Sequence, residues 1–260
     1  MFQVIDMEMI LAREAELTRA FHATKPFRYL SFDNFLIEQQ AWRIYREFPP
    51  IDPDRWVDSN GLHQKNKWTN PLVSGSVAER FFQEANSKPF LEAVARITGI
   101  SHLLADNSFF GAGYHQTRDG GFLDVHVDFN KLKGTRLDRR LNLLLYLNPE
   151  WAAAYGGNLE LWDMAAKHKL EEIIPAFNRC VVFETNDISY HGHPVPVNTG
   201  GKTTRKSLSI YYYTDGREDG ASQGEHNTLY VNTEGWKGKL KIGVNAIRES
   251  ARRLVKKSRS

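Results

Sequence analysis

Three short stretches of this chain carry residues that could do chemistry together. The first is Asp124-Val125-His126-Val127-Asp128. On a strand, successive side chains point to opposite faces, so His126 and Asp128 face one way and Val125 and Val127 the other. An imidazole nitrogen and a carboxylate oxygen placed like this can hold one divalent cation. By itself the pair is a weak signal. A chain with nine histidines meets a His-x-Asp by chance about half the time, and an edge-strand His and Asp in water would read the same way.

The second stretch, Tyr190-His191-Gly192-His193-Pro194, follows some 65 residues later. Either His191 or His193 can supply a third ligand. Two imidazoles and one carboxylate on one face of a cation leave its remaining positions open, the arrangement that suits non-heme iron(II). The third stretch is Arg205-Lys206-Ser207, 14 residues beyond His191. Arg205 and Ser207 share a strand face, and a guanidinium with a hydroxyl beside it makes a receptor for a carboxylate.

These residues need elements to position them. From Ser108 to Thr214 the chain reads as short strands between glycine and aspartate turns, at 109–116, 121–128, 140–148, 157–162, 178–184, 188–195 and 205–214. That spacing fits a sandwich or jelly roll. Ahead of it, residues 7–23 read as one amphipathic helix and a strand runs over 27–32. A further helix is capped by Asp33 or Asn34, 49–68 forms a surface loop, and two helices break near Asn86 and Pro89. The expected class is mainly β with N-terminal helices (α+β). A helical support covers 1–100, the core 101–230, and a basic tail 231–260, all within one structural domain. In that tail Arg248, Arg252, Arg253, Lys256, Lys257 and Arg259 face one acid, Glu249. It reads as a solvated terminal helix or as a contact for an anionic surface.

Taken in order, the motifs resemble the iron(II)- and 2-oxoglutarate-dependent oxygenases, in their prolyl-hydroxylase-like branch. The resemblance runs from about Phe109 to Tyr213. It rests on Gly113-Tyr114-His115, His126-Val-Asp128, Leu144-Leu-Tyr146-Leu-Asn148, Trp151, Gly156-Gly157-Asn-Leu159, Phe183, His191-Gly-His193-Pro194 and Arg205-Lys-Ser207. It implies a double-stranded β-helix, or jelly roll, with Fe(II), 2-oxoglutarate and O2 as cofactors. His126, Asp128 and His191 match the metal ligands and catalytic centre, with His193 as the competing third ligand. Arg205, with Ser207, matches the residue that holds the far carboxylate of 2-oxoglutarate. Tyr146 matches a tyrosine at that carboxylate, and Tyr114 one near the iron-bound end. Asn142, on the face of Tyr146, is a further candidate for the cofactor pocket. The implied reaction is hydroxylation of an unactivated C–H bond with release of succinate and CO2. Because Asp128 is present, hydroxylation is favoured over halogenation, while desaturation and ring closure use the same ligands.

The substrate is less legible. A small metabolite, a free amino acid and a prolyl residue all fit. His115, Arg118, Asp124, Asn130 and Trp162 are candidates to face it, and 131–138 is a candidate lid hinged at Gly134. Arg136, Arg139 and Arg140 read as a solvated basic turn or as a receptor for an anionic substrate. Two other classes of function stay open, a cupin-like metal protein of different chemistry and a non-catalytic jelly-roll binding module. The 260 residues are 41% hydrophobic and 12% aromatic, enough for a sizeable core. A single cysteine, Cys180, excludes a disulfide scaffold and multi-cysteine zinc modules. It also points to a reducing compartment, so a cytoplasmic location is expected. A net charge of +3 is too mild to imply nucleic acid. No window reads as a signal peptide or a membrane span.

Overall fold

The computed structural model describes residues 3–70, 74–106, 109, 111–165, 167–217 and 224–231. The basic tail lies outside these residues. The helical layer comprises α1 (Met7–Ala12), α2 (Glu14–Ala23), α3 (Glu38–Glu47), α4 (Val77–Ala85) and α5 (Lys88–Thr98). Asp6 caps α1 by accepting from the Met9 amide at 2.9 Å, and Ser76 caps α4 through the Glu79 amide at 3.1 Å. α5 carries a proline in its first turn and ends on Gly99 in the left-handed region.

Two expectations for this layer are corrected. The span 7–23 is two helices, because the backbone of Arg13 leaves helical geometry between them. The third helix starts at Glu38 rather than after Asp33 or Asn34. The Asp33 carboxylate is taken by the Arg179 guanidinium at 2.6 and 2.9 Å, and Asn34 stands at a φ of 61°.

Among the described residues, twelve strands follow one another as β1 (Tyr29–Phe32), β2 (Val57–Asp58), β3 (Gln64–Asn70), β4 (Leu104–Ala105), β5 (Gly113–Val127), β6 (Leu137–Tyr146), β7 (Leu159–Asp163), β8 (His168–Ile173), β9 (Arg179–Glu184), β10 (Tyr190–His193), β11 (Arg205–Asp215) and β12 (Leu229–Tyr230). The pairing order is β1-β9-β6-β11-β5-β10-β7-β8, all antiparallel. This is the expected jelly roll. The stretch 49–68, read as a loop, holds β2 and most of β3, and β8 was not foreseen either. The polar sequence Gln64-Lys65-Asn66-Lys67-Trp68 hides a strand that pairs with β5 along its length.

β5 joins the two halves of the roll. Its first half, from Gly113 to Thr117, pairs with β11, and its second half pairs with β10 through Leu123 and His126. The strand bends between these halves at Gly120-Gly121. A Cβ on Gly121 would lie 2.4 Å from Thr117 Cγ2 and 2.6 Å from the Arg118 carbonyl, so only glycine fits the bend. Alternation along β6 and β11 then separates two environments. Leu141, Leu143, Leu145, Leu208, Ile210 and Tyr212 turn outward and share one core with Phe21, Phe35, Phe81, Phe82 and Phe90 of the N-terminal region. Each such side chain contributes about 1.5–3 kcal/mol by leaving water. Asn142, Tyr146, Ser207 and Ser209 turn inward and line a pocket.

Asn178, at the entry to β9, fastens the helical layer to the sheet. Its Nδ2 donates to the Leu36 carbonyl, its Oδ1 accepts from the Leu36 amide, both at 2.8 Å, and its backbone carbonyl accepts from the Phe35 amide. Replacing Asn178 by alanine leaves the Leu36 amide and carbonyl buried and unpaired. The expected cost is about 2–3 kcal/mol, read as a lower urea midpoint; an unchanged midpoint would show that this fastening is unimportant.

Candidate active site

His126 of β5 and His191 of β10 are direct cross-strand partners, which brings their rings to 4.4 Å between centroids. That approach depends on Gly192, where a Cβ would sit 2.9 Å from both the Leu123 and Asp124 carbonyls. Asp128 follows the end of β5. Its Oδ1 lies 3.4 Å from His126 Nε2 and its Oδ2 3.4 Å from His191 Nε2. These donor atoms all lie within 4.8 Å of one another. The far ring nitrogens are tied down: His126 Nδ1 faces the Asp124 carbonyl at 2.8 Å and His191 Nδ1 the Ser189 carbonyl at 2.9 Å. A carbonyl can only accept, so each Nδ1 carries the proton and each Nε2 turns its lone pair to the centre. Two imidazole nitrogens and one carboxylate oxygen converging on a point fit a hard-to-borderline divalent ion such as iron(II), with open positions left over. His193, the competing ligand, is not in this group.

Asp128 is held by more than the histidines. Arg139 Nη2 lies 3.0 Å from its Oδ2, and Asn142 Nδ2 donates to the same oxygen at 2.6 Å. Arg139 also donates to Asn142 Oδ1 from Nε at 2.8 Å and Nη2 at 2.6 Å. Its guanidinium stacks 3.5 Å over the Tyr211 ring and 4.5 Å from that of Phe129. Burial alone would raise the Asp128 carboxyl, but its neighbours, the Arg139 guanidinium foremost, outweigh it and hold it well below the usual carboxylate range. Burial, then the neighbouring His191, lowers His126. Both effects leave the groups in the forms that bind a cation, carboxylate and neutral imidazole.

The other end of the pocket is cationic. Arg205 is 6% exposed; its Nε donates to the Gly157 carbonyl at 2.6 Å and its Nη2 to the Tyr146 hydroxyl at 3.2 Å. Ser207 is the cross-strand partner of Tyr146. Burial raises the Tyr146 phenol, against the opposing effect of Arg205, so it stays a protonated donor.

Several sequence expectations are corrected here. Tyr114 does not reach the pocket. Alternation along β5 turns His115 and Thr117 inward and sends Tyr114 to the helical core, where it packs on Phe48 at 5.0 Å and faces Ser76 Oγ at 3.3 Å. Asn142 lines the pocket, but its hydrogen bonds go to Asp128, Arg139 and Thr185, so it orients the ligand carboxylate. Arg139 is not in a solvated turn; it is 1% exposed. The register of β6 against β11 shifts between Leu141 and Arg139, so Arg140 is the extra residue and Arg139 turns inward in its place. Arg136 is exposed and pairs with Asp215.

Of the substrate-facing candidates, His115 lines the pocket, whereas Arg118 lies over Trp68 and Trp162 donates to Glu160. Asp124 meets His63, and Asn130 holds Gly224 and His226, fastening the segment that places Tyr230 5.4 Å from the His126 ring. Sequence reasoning missed Lys67 and Tyr230, both of which line the pocket. The first lies in the stretch read as a loop, and the second lies beyond the last expected strand.

With this geometry established, the comparisons with known proteins agree with it. Residues 112–213 match the model of the 2OG-Fe(II) oxygenase superfamily. Over 79 residues the chain is 34% identical to mouse prolyl 3-hydroxylase OGFOD1; the match spans 29% of this chain and 14% of the mouse protein. The fold resembles that of a prolyl-4-hydroxylase from Pseudomonas putida, with a TM-score of 0.53 and 14% identity, covering 76% of this chain and 98% of that one. It also resembles a Trichoplax adhaerens prolyl hydroxylase in complex with a hypoxia inducible factor peptide fragment. There the TM-score is 0.56 and the identity 15%, covering 81% of this chain and 94% of that one. Over residues 112–213 the chain is thus similar to the 2OG-Fe(II) oxygenase superfamily, and its jelly-roll fold is that of solved prolyl hydroxylases.

Arg139→Met removes the charge that keeps Asp128 ionised and aimed. It should weaken zinc(II) or iron(II) binding about 10- to 100-fold and lower the unfolding temperature, measured by calorimetric metal titration and a thermal melt. Wild-type metal affinity in that variant would show that Arg139 has no part in the centre.

Proposed function

We propose that this protein is a 2-oxoglutarate-dependent hydroxylase acting on an unactivated C–H bond of a prolyl residue, with release of succinate and CO2. The observation that carries the reaction class is the convergence of His126, Asp128 and His191 in one pocket with Arg205. The likeness to prolyl 3-hydroxylase OGFOD1 supports the prolyl residue as the target.

In this reading His126, Asp128 and His191 hold the iron, and Arg205, Tyr146 and Ser207 hold the far carboxylate of 2-oxoglutarate. Bound iron(II) and 2-oxoglutarate supply oxidative decarboxylation, which places one atom of O2 on the substrate and one in succinate. The protein's own contribution is positional and electrostatic. Fixed Nδ1–H bonds keep both imidazoles in the metal-binding tautomer. Arg139 and Asn142 hold Asp128 as a carboxylate. Arg205, itself anchored by Gly157, pulls the co-substrate's tail into register with the metal. Retention of Asp128 supports hydroxylation, because the carboxylate occupies a position that a halide would otherwise need. Tyr230, backed by the His63 ring stacked on it at 4.3 Å, lines the pocket 5.4 Å from the His126 ring and limits the water that reaches the target C–H.

Three single variants, His126→Ala, Asp128→Ala and His191→Ala, should each abolish iron-dependent succinate formation. Arg205→Ala should raise the 2-oxoglutarate concentration needed for half-maximal rate by about 10- to 100-fold. The assay couples succinate release to a mass gain of 16 Da on proline-containing peptides. Unchanged succinate formation in the His126 variant would reject the site. Turnover with free amino acids or small metabolites, but with no prolyl peptide, would reject the substrate.

A further inference from the structure

His193 and Lys67 line the pocket and have no role in the reading above. His193 is 3% exposed, lines the pocket, and has no hydrogen-bond partner for either ring nitrogen among the described residues. A buried polar group left unpaired costs stability, so an orphaned imidazole facing a cavity marks a place where a ligand atom belongs. Lys67 on β3 is half-buried and lines the same pocket. Its ammonium makes no hydrogen bond or ion pair among the described residues.

The topology places both beside Arg205. Lys67 on β3 is the cross-strand partner of Thr117 on β5, and Thr117 is the partner of Arg205 on β11. The three residues form one row across three adjacent strands, so the Cα atoms of Lys67 and Arg205 are about 9–10 Å apart. Long side chains from that row reach toward each other over Thr117. The charges that bear on Lys67 are those of Arg205 and Asp128; those on His193 are Arg205, Lys67 and His126. Both groups line the same pocket as the guanidinium and the metal cluster, within electrostatic reach of each, in the space a bridging co-substrate must span. Two cations with no anion between them repel, and Asp128 is already matched by Arg139. An anion in that space relieves the repulsion and supplies the acceptor that His193 lacks.

We propose that Lys67 and His193 complete, with Arg205, a three-nitrogen clamp for the far carboxylate of 2-oxoglutarate. The inference rests on the reading of the pocket as a 2-oxoglutarate site and adds two positioning residues to it. The clamp also gives co-substrate affinity a dependence on pH. Burial and then the Arg205 charge lower Lys67 to about 8, with Asp128 opposing. The titratable and charged groups around it are His115 on β5, Arg205 on β11, His193 on β10 and Asp128. Burial and then Lys67 push His115 well below its ordinary range, so it stays neutral near neutral pH. Lys67 is charged below its pKa and neutral above it, so its grip on an anion weakens as pH rises past about 8.

The test is calorimetric titration of 2-oxoglutarate into the zinc(II)-loaded full chain, which binds without turnover because zinc has no redox chemistry. Lys67→Met should weaken 2-oxoglutarate about ten- to hundredfold and Lys67→Arg much less. His193→Leu should weaken it at least about threefold while the ligand-free melting temperature stays the same or rises, since an unpaired buried group has been removed. The ratio of wild-type to Lys67→Met affinity should shrink as pH is raised past about 8. Wild-type affinity in both Lys67→Met and His193→Leu, or a ratio that does not change with pH, would overturn the clamp and leave the site reading intact. If the wild-type zinc protein binds no 2-oxoglutarate at all, the site reading itself fails.

Discussion

The pocket depends on a buried carboxylate that stays charged. Asp128 is ringed by an arginine, an amide and two imidazoles, and each partner restrains one of its oxygens. An isolated buried carboxylate would take up a proton and lose its value as a ligand. Arg139 prevents this, and Arg139 is in turn held by the Tyr211 and Phe129 rings and the Asn142 carbonyl. The centre is thus built outward from one charge, with Arg139 and Asn142 holding one carboxylate oxygen and the other turned toward His126.

That arrangement is possible because one strand pairs with both strands that carry the other site residues. Its first half sets His115 and Thr117 beside β11, which carries Arg205, and beyond Gly121 its second half sets His126 beside β10, which carries His191. The metal end and the carboxylate end of the pocket are consequently fixed to each other through a single continuous backbone. The helical layer behind β6 and β11 stiffens the carboxylate end, since alternation makes each inward polar residue the neighbour of an outward core residue.

Much of the core was legible from residue types. Period-two alternation in His126-Val-Asp128 and Arg205-Lys-Ser207 put the right side chains on shared faces, and glycine and aspartate turns marked most strands. Alternation failed where the pleat is interrupted. The shifted register of β6 turns Arg139 inward onto Asp128, where the sequence alone reads either a solvated turn or a receptor for an anionic substrate. The parity of Tyr114 was set by which face of β5 meets the helices, and no local pattern states that. β3 was missed because its residues are polar on both faces: one edge looks into a polar pocket instead of an apolar core, so the usual signal of a buried strand is absent.

Local sequence by itself determined the ligand types, their pairing within each strand, and the mainly β class of the core, because these follow from side-chain chemistry and a two-residue repeat. Only the tertiary structure decided which histidine joins the cluster, which arginine charges it, and which lysine faces the far end. Those outcomes depend on cross-strand register and on a single extra residue in a strand, and both are settled by packing between segments distant in the chain.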